Sequence, residues 1–110
     1  MRVREIVEKL ELTVLAAGNL DQEVRWGFCS DLLSDVLGHA SEGDIWITHQ
    51  RHLNVVAVAK LKGIAAIVCV RNLRPSPEVL AKADGQGVTV LLSSEDAFEV
   101  AGRLYGLLSP

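Results

Sequence analysis

Val3, Ile6, Val7 and Leu10 recur three or four residues apart, with Arg2, Arg4, Glu5, Glu8 and Lys9 between them. That period places one apolar stripe on a helix and charge on its other side, so the first element is expected to be a helix packed on a core. Leu12 to Ala17 then reads as a buried strand, stopped by the turn-forming pair Gly18-Asn19. Val24, Trp26 and Phe28 alternate with Arg25, Gly27 and Cys29, the period of a short second strand with one face more apolar. Leu32, Leu33, Val36 and Leu37 form the stripe of a second helix, for which Ser30 or Asp31 is the natural N-cap.

The rest of the chain alternates strictly. Glu42-Gly43-Asp44 is a turn, Ile45 to Thr48 a strand, and Leu53 to Lys62 a helix closed by Gly63. Ala65 to Val70 is an almost unbroken apolar run of strand length, which places it mid-sheet. Ser76 and Pro77 open the next helix, and Asp84-Gly85-Gln86-Gly87 ends it. Val88 to Leu92 is the last strand. Ser93 or Ser94 is expected to cap a final helix carrying Phe98, Val100, Ala101, Leu104 and Leu108. The order α-β-β-α-β-α-β-α-β-α implies an α/β fold of three layers: a mostly parallel five-stranded sheet with helices on both faces, forming a single domain over residues 1–110.

Composition narrows the function. Apolar residues make up 49% of the chain but aromatic residues only 5%, so Ala, Val, Leu and Ile build the core. A formal net charge of −3 argues against nucleic acid or an anionic membrane as partner, both of which need a basic face. His49-Gln50-Arg51-His52 is the one local basic cluster. Mean hydropathy of +0.26 is high for so small a domain and predicts apolar surface left for a partner, a second copy first of all. Cys29 and Cys69 are expected to be small buried hydrophobes in a reducing cytoplasm. The charged segment Met1 to Leu10 is not a signal peptide, and no apolar run has the length of a membrane span.

Motifs of known chemistry are missing. Gly85-Gln86-Gly87 follows a helix and precedes a strand, whereas a phosphate-cradling loop follows a strand and opens a helix. There is no Walker A loop, nucleophile elbow or Cys-x-x-Cys, so no cofactor is expected. His49, His52, His39 and Asp35 lack a recognisable spacing of ligand pairs, which argues against a metal site. The remaining acids fall on helix surfaces and in turns, and no catalytic pair stands out. Position carries the strongest site argument, because open parallel sheets bind ligands beyond the C-terminal ends of their strands. The loops expected there hold Gly18-Asn19, Thr48 to Arg51, Arg71-Asn72 and Ser93-Ser94, which are polar, small and partly basic.

The stretch Leu20 to Ala40 resembles the DRTGG domain family, and the likeness extends over nearly the whole chain. It includes Gly43-Asp44 with Thr48, Pro75 to Val79, and Leu92-Ser93 ahead of Ala97-Phe98-Glu99. Asp21, Val24 and Gly27 fit the family motif, while Gln22, Arg25 and Trp26 depart from it. Such domains are similar to the N-terminal domain of HPr kinase/phosphorylase without its kinase domain, and occur in CBS-domain pyrophosphatases. The resemblance implies a module that is regulatory or helps dimerise; joined to the polar strand-end loops and the high hydropathy, it leads to the expectation of a non-enzymatic regulatory or interaction module, a homodimer that senses a small anionic, phosphate-bearing metabolite. Thr48 and Ser93 are the expected donors to the anion, His49 a pH reporter, Asp21 a turn former and Gly27 a point of close backbone approach. The alternatives are a phosphotransfer accessory protein and a pure assembly domain for a metabolic or redox enzyme.

Overall fold

The computed structural model describes all residues from Met1 to Pro110. Its elements follow the expected order: α1 (Val3–Lys9), β1 (Thr13–Ala16), β2 (Gly27–Cys29), α2 (Leu33–His39), β3 (Ile45–Thr48), α3 (Leu53–Lys62), β4 (Ala66–Cys69), α4 (Pro77–Gln86), β5 (Val90–Leu92) and α5 (Ala97–Leu108). They build one five-stranded sheet in the order β1-β5-β4-β3-β2. The run β2 to β5 is parallel, with Phe28 beside Trp46, Ile47 beside Val68 and Val68 beside Leu91. β1 joins the far edge antiparallel, Val14 opposite Leu91. The apolar run around β4 is the central strand, as its unbroken hydrophobicity requires.

Because β2, β3, β4 and β5 follow one another across the sheet, their crossover helices stack on one face. Val36 of α2, Val55 and Val56 of α3, and Val79 and Ala83 of α4 pack there with Trp46, Ile67, Cys69 and Val90. On the other face, Val3 and Ile6 of α1 and Val100 and Leu104 of α5 cover Ile45, Ile47, Val68 and Leu91. The sheet is therefore the middle of three layers. α5 runs from β5 back across it to rest on β2 and β3.

Local chemistry explains the joints. Ser76 caps α4, its hydroxyl accepting from the Val79 N–H at 3.3 Å, with Pro77 in the first turn. Gly63 and Gly87 end α3 and α4 in the left-handed conformation. Gly18 has φ +51°, and a Cβ there would stand 2.3 Å from Thr89 Oγ1 and 2.8 Å from the Gly87 carbonyl. Only glycine fits. Trp46 is wholly buried and its indole donates to the Ser30 carbonyl at 2.8 Å. Asp44, also buried, accepts from Arg25 Nε at 3.0 Å and the Ser41 N–H at 2.8 Å, the pairing a buried carboxylate requires.

Several local expectations give way. α2 is N-capped at Leu32 without a side-chain bond, and α5 at Asp96, whose carboxylate accepts from the Ala97 N–H at 2.7 Å. Ser30 and Ser93 instead make tight turns, accepting from the Leu32 and Glu95 N–H groups, and Asp31 turns away from its helix. β2 begins at Gly27, three residues later than alternation suggested, because Val24 to Trp26 precede the ladder. Cys29 is exposed at the sheet edge, and only Cys69 is buried. β3 lies between their strands, so the two thiols cannot pair.

Candidate functional site

Four strands end on one rim, and a single carboxylate organises it. The parallel register sets Cys29 beside Ile47, which brings Asp31 level with His49 just beyond the strands. Asp31 Oδ1 accepts from the Thr48 hydroxyl at 2.8 Å and from the His49 N–H at 2.7 Å. Its Oδ2 lies 3.0 Å from His49 Nδ1. The Gln50 amide donates to the Asp31 carbonyl at 3.0 Å, and the Gln50 N–H to the Thr48 hydroxyl at the same distance. Partial burial pushes the Asp31 carboxyl up, but these hydrogen bonds outweigh it and hold the group below its ordinary value.

His49 also faces a second carboxylate, with Nε2 3.5 Å from Asp96 Oδ1. The N–H of Ala97, above all, holds the Asp96 carboxyl low, aided by His49 and by Arg71 at 4.0 Å. Arg71 and Asn72, just past β4, are both left-handed, with φ of 52° and 56°. Two such residues in succession cost on the order of 1–3 kcal/mol each. Their N–H groups donate to the Glu95 and Ser93 carbonyls, both at 2.8 Å, which offsets the strain. Every strand-end loop on this rim is thus tied to a neighbour.

Beyond the rim, on the face of the crossover helices, the N-termini of α3 and α4 converge on a cleft of about 510 Å³. Arg51, His52, Asn54, Ser76 and Glu78 line it. His52 is the N-cap of α3 and makes no side-chain cap bond there. The positive ends of two helices and the exposed Arg51 side chain meet in this space and favour an anion on the Arg51–Asn54 side, while the Glu78 carboxylate opposes one at the α4 end. On the opposite face, Cys29 lies between two smaller cavities, one of mixed lining with Asp31 and His49, one apolar against α5. Burial raises the Cys29 thiol, with the Asp31 charge adding to it, and pushes Cys69 up to about 11. Neither thiol is primed as a nucleophile.

Thr48, His49 and Ser93 all fall on the rim. Thr48 and Ser93 are almost wholly buried and already hydrogen-bonded, so they hold loops in place. Gly18-Asn19 does not belong there: β1 runs antiparallel, which carries its C-terminal end to the other side of the sheet. Asp21 is also distant from the rim, paired with exposed Arg4 at 3.1 Å. Gly27 opens β2, where Leu104 of α5 comes to 3.0 Å from the site of a Cβ. Asp35 and His39 form an exposed pair at 3.1 Å on α2, and no three His, Cys, Asp or Glu side chains gather as metal ligands. Asp31, which the sequence offers only as a helix cap, is the hub of the rim. An acid two residues past a strand, beside a neighbour ending in Thr-His, was its one signal.

The family model for the DRTGG domain matches residues 5–107. No curated protein matches the chain. Among solved structures, the chain is similar to the CBS and DRTGG domains of the regulatory region of a Clostridium perfringens pyrophosphatase, crystallised with its activator diadenosine tetraphosphate. The two share 19% identity at a TM-score of 0.74, over 94% of this chain and 45% of that one. The chain spans less than half of that regulatory region, and the likeness is one of fold.

Proposed function

Because this chain belongs to the DRTGG domain family, we propose that it is a non-enzymatic regulatory module that senses a small phosphate-bearing metabolite and works as a homodimer in the cytoplasm. The observation that carries this reading is the cleft at the strand ends, where two helix N-termini and Arg51 meet. Arg51, His52 and Asn54 face the anion. Thr48, His49 and Ser93 set the shape of the rim, and His49 links that shape to pH. Asp21 and Gly27 serve the fold at the far end of the sheet. The related pyrophosphatase region, bound to a dinucleoside polyphosphate activator, supports nucleotides as the first class of ligand to test.

Thermal denaturation with inorganic phosphate, AMP, ATP and diadenosine tetraphosphate tests the reading. A ligand at a hundredfold excess over its Kd stabilises the protein by about 2.7 kcal/mol. At least one nucleotide is expected to raise the melting temperature in wild type, and much less in Arg51→Ala. No response to any of the four in wild type overturns the sensing function. That result, with a stable dimer, favours the assembly-domain alternative, which the exposed Phe98 and Tyr105 rings support. Labelled ATP left untransferred by the purified protein disposes of a phosphotransfer role.

A further inference from the structure

The chain has five aromatic residues, and three of them stand exposed, Phe98 and Tyr105 two turns apart on α5 and Trp26 just ahead of β2. Phe98 is 86% exposed, Tyr105 64% and Trp26 36%. Trp26 and Tyr105 stand edge to face with ring centroids 5.5 Å apart. Beside them is an apolar cavity of about 120 Å³ between α5 and β2, walled by Ala101, Leu104 and Leu108. β2 is the open parallel edge of the sheet. The Ser30 N–H and the Trp26 carbonyl bond to β3, so alternation turns the Gly27 and Cys29 backbone groups outward, unpaired. Two exposed rings at a cavity beside a free edge, with a third further along the same helix, are the composition of an interface core.

The α5 surface there is also self-complementary. Phe98, Gly102 and Gly106 fall four residues apart along one exposed ridge. Interior glycines weaken a helix relative to alanine, and no intramolecular packing accounts for these two: a Cβ at either would meet nothing within 4 Å. Phe98 precedes Gly102 by the same interval at which Gly106 follows it. When two α5 helices cross antiparallel about a two-fold axis at Gly102, Phe98 of each copy falls over the partner's Gly106 and beside the partner's Tyr105. A two-fold interface requires this relation, in which one patch supplies both knob and hole. The three rings offer about 300–450 Å², roughly half of the ~800 Å² that a stable dimer takes from each partner, and the glycine ridge and the β2 edge adjoin them.

We propose that this face of α5 is the dimer interface, with a second copy of the chain as its partner and the symmetry axis at Gly102. The proposal rests on the homodimer reading above and adds its surface and geometry. Sedimentation equilibrium of the full chain tests it with Phe98→Lys and Gly106→Leu, each expected to raise the dimer dissociation constant at least tenfold. Both positions are exposed, and a wild-type far-UV circular dichroism spectrum with cooperative unfolding separates lost dimerisation, which itself lowers the melting temperature by mass action, from a failure to fold. In a Cys29→Ser background, G102C is expected to form a disulfide-linked dimer on mild oxidation, since the axis brings the two positions together. A monomeric wild type at high concentration overturns this proposal and the homodimer reading alike. A dimeric wild type whose F98K and G106L variants stay dimeric, with G102C uncrosslinked, overturns the surface and leaves the homodimer standing.

Discussion

Replacing Asp31 with alanine is the sharpest test of the rim. The change removes three interactions at 2.7–3.0 Å, from the Thr48 hydroxyl and from the backbone and ring of His49. Hydrogen bonds to a charged group contribute about 1.5–3 kcal/mol each when water is excluded. Half of the Asp31 side chain is exposed, however, so water replaces much of what is lost. The Thr48 hydroxyl is the exception: it is 1% exposed, and an orphaned buried donor costs about 1–3 kcal/mol. About 2 kcal/mol is therefore expected in total. With an unfolding entropy of about 2.1 cal/mol/K per residue, that lowers the melting temperature by ~9 °C. The control is Asp35→Ala, which breaks an exposed pair on α2 and should cost under about 2 °C. Acid supplies a second check with a definite sign. The folded Asp31 carboxyl lies below its ordinary value, so its contribution is complete above the unfolded carboxylate value of about 4 and is lost as pH falls through the folded one. The gap between wild type and variant therefore closes in strong acid, below the range of ordinary carboxylates. A shift no larger than that of the Asp35 control, or a gap that persists undiminished in strong acid, refutes the hub.

Glycines supply two predictions of opposite sign. Gly18→Ala forces a Cβ into the Gly87 carbonyl and Thr89 at positive φ and should cost about 3 kcal/mol in urea denaturation. Gly85→Ala, inside α4 with open space around it, should add about 0.5–1 kcal/mol. Thiol titration of the native protein should give one accessible equivalent, from Cys29. Cys69, buried and with its pKa pushed up to about 11, should react only on unfolding.

Helical period at the chain's ends, unbroken apolar runs at β3 to β5, and the Gly, Ser and Pro punctuation between them together located all ten elements. Strand direction is a different kind of information. Leu12 to Ala17 reads equally well parallel or antiparallel, and the long connection from Ala17 to Trp26 leaves β1 free to join the far edge reversed. That reversal is why Gly18-Asn19 fell outside the rim. Asp31 and His49 were each visible as polar residues near strand ends, yet only the β2–β3 register aligns them. Caps at α2 and α5 were misplaced because Ser30 and Ser93 had a competing use, bonding to N–H groups two residues on. Residues that serve two neighbouring elements cannot be assigned from the period of either.

The course of α5 back over the sheet has a kinetic consequence. Neighbours in the parallel ladder, such as Phe28 with Trp46 and Val68 with Leu91, lie about 20 residues apart along the chain, so their loops close early and cheaply. β1 meets β5, and α5 meets β2, only across most of the chain's length. The protein should therefore assemble from β4 outward, with its first and last segments docking late. Until α5 arrives, Ile45, Ile47 and Val68 lack half their cover, and the partly folded chain shows a broad aliphatic sheet face to its neighbours. The helix that finishes the monomer is also the guard against aggregation while the monomer forms.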